Sequence, residues 1–333
     1  MKALVLHSVG DLRYEEAPDP VVTPGTVRIR VGFCGVCGSD LPRIFVKGTY
    51  HFPTICGHEF AGTVEAVAPD VRDAAPGDRV AVFPLLWCGR CAACAQKKYV
   101  QCENYDYYGS RRDGAFAEFV VVPPRNLLTV PAGVRLEEAA MTEPAAVARH
   151  ALRRVAKRLD GHSVLIFGAG PIGLMAAQWA RTMGAGPVTL SDPIARKLEL
   201  ARALGFATGL PPDGADVVVD AAGAPAALLA AMRAARRGGA VVLLGNPAGD
   251  LALPAELWSQ LMRREVTLYG TWNSDYGVEG DRDDWRAALD AMASGRLRLQ
   301  PLISHVVPLS DGVEALRRMR AGQEFYSKVL IQP

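Results

Sequence analysis

The run Ser163–Gly173, SVLIFGAGPIG, constrains the fold of this chain more than any other stretch. The apolar residues of Ser163–Phe167 read as a buried strand. They end in Gly168-Ala169-Gly170-Pro171-Ile172-Gly173, and a helical pattern follows to about Met183. Pro187–Leu190 reads as a second strand, and Asp192 stands 19 residues after the last glycine. A G-x-G-x-x-G alone says little. Between a strand and a helix, with an acid at that distance, it predicts a dinucleotide site. Gly168, Gly170 and Gly173 let the backbone approach a pyrophosphate, with Ile172 at the turn, and the helix N-terminus supplies the positive end of its dipole. Asp192 suits the adenosine ribose hydroxyls and repels a 2′-phosphate, which favours NAD over NADP. Arg196 and Lys197 work the other way, since a cation there can accept that phosphate. Lys197 reads equally as a ribose neighbour and as a solvated helix residue.

The alternation continues. Asp216–Asp220, Ala240–Leu244 and Val266–Tyr269 read as strands, with an Ala-rich helix over Pro225–Arg236. Strands and helices in turn predict a doubly wound parallel sheet of Rossmann type. Only nine residues, ATGLPPDGA, separate Phe206 from Asp216. That is too short for a strand plus a full crossover helix, so a helix is expected to be shortened or missing on one face.

The first 145 or so residues are different. Lys2–Leu6, Thr26–Phe33, Gly62–Val67, Arg79–Val82 and Phe116–Val122 are β-rich runs broken by Gly and Pro, as in a partly open β-barrel. After about Trp272 a helix over Trp285–Ala293 and strands over Ser304–Val307 and Lys328–Ile331 are expected. With no β/α alternation left, this tail is assigned to the first lobe. The expected division is residues 1–148 with 274–333, and 149–273.

Two metal-ligand constellations fall in the first lobe. Cys88, Cys91, Cys94 and Cys102 have the spacing C-x2-C-x2-C-x7-C, which lets a short knuckle close on one tetrahedral ion. An all-thiolate shell leaves no position for substrate, so this site reads as structural. Cys37, His58, Glu59 and Glu143 form the second set, a thiolate–imidazole–carboxylate mixture typical of zinc. Neighbours on a strand point to opposite faces, so His58 and Glu59 reach one ion together only at a bend, which Gly57 permits. Otherwise Glu59 orients a ligand or water. Alone, His58 reads as a core histidine and Cys37 as a small packing residue. Cys34 and Cys56 read as packing residues.

Bulk properties exclude other classes. Lys and Arg (37) nearly balance Asp and Glu (35), so charge gives no reason to expect nucleic acid or an acidic membrane as partner. No run approaches the roughly 18–20 apolar residues of a membrane span. The start, MKALVLHSVGDLRYEE, lacks the apolar core of a signal peptide. Clustered thiols point to a reducing compartment, and a cytoplasmic location is expected.

GVCGSD, GHEF, PGDRV, the four-cysteine lobe, GAGPIG and PLISHVVPL are all present. With them the sequence resembles the medium-chain, zinc-dependent alcohol/polyol dehydrogenase family over essentially its whole length. CGSDLPRIF and YDYYGSRRDGAFAEFVVV look closest to the branch acting on galactitol 1-phosphate. The resemblance implies a GroES-like catalytic domain beside the Rossmann domain. It implies two zinc ions per chain: a catalytic one on Cys37, His58 and Glu59, with Glu143 or water, and a structural one on the thiolate quartet. It further implies NAD-dependent oxidation of a secondary alcohol to a ketone, with both reactants in the cleft between the lobes. Many members carry a histidine five residues after the zinc cysteine, as a proton carrier. Here that residue is Pro42, leaving Ser39, a bound water or a carboxylate for the task.

Arg43, Arg111 and Arg112, with Lys47, lie in the segments matching the sugar-phosphate branch. Guanidinium forks suit a phosphate monoester, although surface charges and subunit contacts use the same residues. The expected substrate is an acyclic polyol phosphate such as galactitol 1-phosphate, with an unphosphorylated polyol the close alternative. A non-catalytic NAD-binding zinc protein is the remote one. Glu265–Gly270 (EVTLYG) reads as an apolar edge strand, and such edges are paired or covered. A homodimer, or a homotetramer built from it, is therefore expected.

Overall fold

The computed structural model describes residues 1–277, 282–322 and 324–333. The chain divides into two compact units. One comprises Met1–Glu143, Asp275–Gly295 and Leu299–Pro333. The other comprises Pro144–Ser274 and Arg296–Arg298.

The second unit holds a six-stranded sheet. Its order is Ala207–Thr208, Val188–Ser191, Val164–Phe167, Ala215–Asp220, Ala235–Leu243, Thr267–Gly270, and every pairing is parallel. Numbered along the chain this is 3-2-1-4-5-6, the doubly wound order. Val164–Phe167 is central and buried at every position, as a strand covered by helices on both faces must be. The helices are Pro171–Thr182, Ala195–Ala203, Pro225–Ala234 and Ala255–Arg263. None lies between Ala207–Thr208 and Ala215–Asp220, as the nine-residue gap requires. The Ala-rich helix ends at Ala234, two residues before the sequence-based limit. Ala235 already pairs with Ala215, and the strand starts there. Thr267–Gly270 closes the sheet edge, with Leu268 37% exposed.

The first unit is a curved, partly open barrel. Val27–Gly35 is its spine, pairing with Glu59–Val67 along one edge. The other edge is shared by Phe119–Val122 and Lys328–Gln332. Register shifts at Arg28/Ile29 and Val31/Phe33 bend the spine and let it serve three partners. A three-stranded antiparallel sheet, Asp11–Glu16, Lys2–Ser8 and Thr54–Ile55, packs into the same core through Leu4, Leu6 and Leu12.

The tail departs from expectation. Ile303–Pro308 and Lys328–Gln332 are parallel, and the helix Gly312–Ala321 joins them. One β/α/β crossover therefore survives after Trp272. GVEALRRMRA carries Val313, Leu316 and Met319 at helical spacing, and Ala315 and Leu316 are buried, so the tail is not free of β/α alternation.

Candidate functional site

The thiolate lobe is preformed. Cys91 Sγ lies 3.5 Å from Cys94 Sγ and 3.9 Å from Cys102 Sγ, and Cys88 Sγ lies 4.0 Å from Cys94 Sγ. Four sulfurs each about 2.3 Å from one ion stand roughly 3.8 Å apart, so the cage has the size zinc needs. All seven cysteines are free thiols. The short helix Ala92–Ala95 begins after Cys91, and its Cys94 amide points to the Cys91 sulfur. Hydrogen bonds from the Cys94 and Glu103 amides press the Cys91 thiol down to about 6, the ionised form a metal takes. Trp87 stacks on Tyr99 with centroids 4.3 Å apart, and Arg125 lies over Trp87, which ties the lobe to the barrel.

The mixed site assembles at the end of the barrel spine. Gly57, at φ +93°, makes the bend that the adjacent His58 and Glu59 need. A side chain there would strike Phe116 and Cys34 Sγ. One ligand atom each from Cys37, His58 and Glu59 lies within 4.8 Å of the others. His58 and Glu59 are buried, and Ser39 Oγ donates to Cys37 Sγ at 3.3 Å. Glu143 is in the first turn of the helix Thr142–Arg153, and the Tyr107 hydroxyl donates to its Oε1 at 3.4 Å. Burial, with the Glu59 charge, pushes the Glu143 carboxyl up to about 7 against the pull of His58, Lys328 and Tyr107.

Three partners in this site, Asp40, Tyr107 and Lys328, are not singled out by the sequence. Asp40 is fully buried. It accepts the Cys37 amide at 2.9 Å and Arg43 at 3.1 Å, and its Oδ1 stands 3.5 Å from His58 Nδ1. Burial would raise its pKa, but His58, Arg43 and the amide outweigh it, and the carboxyl stays below the usual range. Asp40 thus faces one imidazole nitrogen and leaves Nε2 for a cation, the common arrangement of a metal-binding histidine. Tyr107 meets the His58 ring edge-on, centroids 5.7 Å apart. Lys328, from the last strand, forms a buried ion pair with Glu59 Oε2. Asp40 and Tyr107 lie inside sequence motifs, but the motifs do not say what they touch, and Lys328 lies far from any.

The glycine turn has the predicted form. Gly168 adopts φ +100°, open to glycine at little cost, and Gly170 caps the helix Pro171–Thr182. A side chain at Gly173 would collide with the Gly168 carbonyl, whereas one at Gly170 would meet nothing. Gly173 therefore serves helix–strand packing, and Gly170 leaves open space where a pyrophosphate would lie. Asp192 accepts the Ala169 amide at 2.9 Å and the Ile194 amide at 2.8 Å, with Lys197 Nζ 3.8 Å away.

Two family models match this chain. The alcohol dehydrogenase GroES-like domain covers residues 23–132, and the zinc-binding dehydrogenase model covers residues 171–294. Galactitol 1-phosphate 5-dehydrogenase of Escherichia coli is 35% identical, with 100% of both chains covered. The chain belongs to the zinc-dependent medium-chain dehydrogenase family. Sorbitol dehydrogenase of Bacillus subtilis is 30% identical, covering 100% of this chain and 97% of the relative. The crystal structure of galactitol-1-phosphate dehydrogenase from Escherichia coli superposes with a TM-score of 0.93 at 34% identity over 100% of both chains. A zinc-binding dehydrogenase from Sinorhizobium meliloti bound to NADP gives 0.91 at 30% identity, covering 100% of this chain and 99% of that one. An Escherichia coli protein complexed with NADH gives 0.88 at 26% over 100% and 99%. The chain is thus a dehydrogenase, and two of its solved relatives hold a nicotinamide dinucleotide.

As a zinc-dependent medium-chain dehydrogenase it handles the candidate phosphate contacts unevenly. Arg43 is committed to Asp40, and Arg112 to Asp106 at 2.6 Å. Arg111 lies between the rings of Tyr50 and Tyr105, 4.0 and 4.6 Å from their centroids. Among the described residues no oxygen receives a hydrogen bond from its guanidinium. Of the three, Arg111 is the one whose guanidinium rests on aromatic rings and not on a carboxylate. Lys47 is exposed at the end of the π-helical turn Arg43–Lys47.

Proposed function

We propose that this dehydrogenase oxidises a secondary alcohol of an acyclic polyol phosphate, best matched by galactitol 1-phosphate, with NAD as hydride acceptor. The full-length likeness to galactitol 1-phosphate 5-dehydrogenase carries the substrate class. In this reading the first unit, residues 1–148 with 274–333, does the alcohol chemistry, and residues 149–273 bind NAD. Zinc, held by Cys37 and His58 with carboxylate help from Glu59 and Glu143, would act as a Lewis acid on the alcohol oxygen. Ser39 hydrogen-bonds the Cys37 thiolate and so moderates its charge. Pro42 cannot carry a proton, which leaves Ser39, a bound water or one of the carboxylates, Glu59 or Glu143, for that task. Asp192, already aligned by two backbone amides, favours the NAD ribose over a 2′-phosphate.

Arg111, held over Tyr50 and Tyr105 with no carboxylate partner, supports recognition of the phosphate. Likeness to sorbitol dehydrogenase supports a second reading, an unphosphorylated polyol. Rates for polyols and their phosphates, with NAD and NADP, on wild type and Arg111→Ala decide between them. On the first reading Arg111→Ala loses kcat/KM about 10-fold or more for phosphorylated substrates only. Equal loss on both substrate classes makes Arg111 structural. The exposed edge Thr267–Gly270, with Trp272 58% exposed, supports a homodimer or homotetramer. The reducing conditions that seven free thiols need support a cytoplasmic setting.

A further inference from the structure

Glu59 and Lys328 are 269 positions apart, yet they form a fully buried ion pair. The register explains how they meet. Gly35 on the spine pairs with Glu59 on one side and with Leu330 of the last strand on the other. The carboxylate and the ammonium reach toward each other across Gly35, a spine residue without a side chain. A Cβ at Gly35 would strike Glu59 Oε2 and fall 2.8 Å from Lys328 Cε. Gly35 is not in the left-handed region, so its missing side chain supplies room, not backbone freedom. The ammonium also donates to the Val36 carbonyl at 3.0 Å, which fixes it between the spine and the site. Lys328 is 3% exposed and Glu59 1%. Burying both charges is costly, and the pair repays it only if each stays engaged.

We propose that Lys328 is a positioning residue that limits how strongly the mixed site grips its metal. Resting on the metal centre proposed above, this assigns Lys328 as a second, permanent cation for Glu59. One carboxylate oxygen is committed to the ammonium, so Glu59 cannot close on the ion with both. A positive charge beside the site also opposes the ion directly. Cys37 and His58 remain the firm ligands, and the remaining coordination stays exchangeable, as substrate entry demands. A purely structural tie between the last strand and the barrel makes the opposite prediction, because loosening it would loosen the site.

Zinc release from the full-length zinc-loaded chain into excess chelator, followed as zinc retained per chain, separates the two by sign. The release phase missing from Cys37→Ala belongs to the mixed site. If Cys37→Ala keeps both phases, the metal centre itself is absent and the role of Lys328 goes with it. With the phase assigned, Lys328→Met slows it about 10-fold or more, the usual scale for a residue supporting a ligand. Lys328→Arg behaves like wild type, and Lys328→Met/Glu59→Gln loses the slowing because Glu59 no longer carries charge. Release from Lys328→Met that is unchanged or faster overturns the proposal, and so does a double variant that stays slow. Should Lys328→Met not fold, Gly35→Ala crowds the pair apart with both charges kept. Slower release is again expected, and unchanged or faster release again contradicts it.

Discussion

At the residue scale, the site depends on side chains that hold other side chains. Asp40 aligns His58 and accepts the Cys37 amide, so Asp40→Asn is expected to weaken zinc binding at the mixed site about 10–100-fold while the thiolate lobe stays loaded. Metal content measured against a graded chelator checks this, and equal loss from both sites contradicts it. Cys37, His58 and the glycines of the turn were legible in the sequence because their chemistry restricts the residue type. Asp40, Tyr107 and Lys328 were not, since an acid, a phenol or an amine is compatible with almost any surface position. Only strand register reveals that Lys328 comes to Glu59. In the dinucleotide unit, Asp216 illustrates a charge held for stability. Burial raises its pKa, but the Ser163 hydroxyl and amide, at 2.6 and 2.8 Å, and Arg236 outweigh it and leave the carboxyl lowered. A depressed folded pKa contributes stability above the unfolded value of about 3.9 and loses it as pH falls through the folded one. The loss of denaturation midpoint in Asp216→Asn is therefore largest near neutrality and shrinks below about pH 4. A gap that does not change with pH contradicts the assignment.

At the scale of elements, periodicity decided what could be read. The four-residue strand Val164–Phe167 and the helix after it stood out because a buried parallel strand is continuously apolar. Leu165 is fully buried at its centre, and Leu165→Ala is expected to cost about 2–5 kcal/mol in chemical denaturation. A cost below about 1 kcal/mol would show that the strand is not the packing centre. The helix Gly312–Ala321 has a short apolar face, Val313, Leu316 and Met319, between polar residues, and its β/α/β setting follows only from the parallel pairing of Ile303–Pro308 with Lys328–Gln332. The end of the Pro225–Ala234 helix was placed late for a related reason. Ala and Arg favour helix locally, and only pairing of Ala235 with Ala215 turns the chain into a strand.

At the scale of the whole molecule, the chain combines a four-thiol knuckle, a Cys37–His58–Glu59 cluster and a glycine-rich strand-to-helix turn. Its family membership follows from sequence and fold together, with a TM-score of 0.93 to a galactitol-1-phosphate dehydrogenase. What the sequence left open is substrate, because the proposed phosphate contact turns on how Arg43, Arg111 and Arg112 are engaged, which is a matter of three-dimensional neighbours. The claim on which the rest stands is that the Cys37–His58–Glu59 cluster holds its own ion, separate from the thiolate lobe. Zinc content per chain of purified, fully reduced wild type and Cys37→Ala tests it directly. Two ions in the wild type, and one in an otherwise folded and inactive Cys37→Ala, is the predicted result. A single ion in both proteins, lost only when Cys102 is replaced, would contradict it.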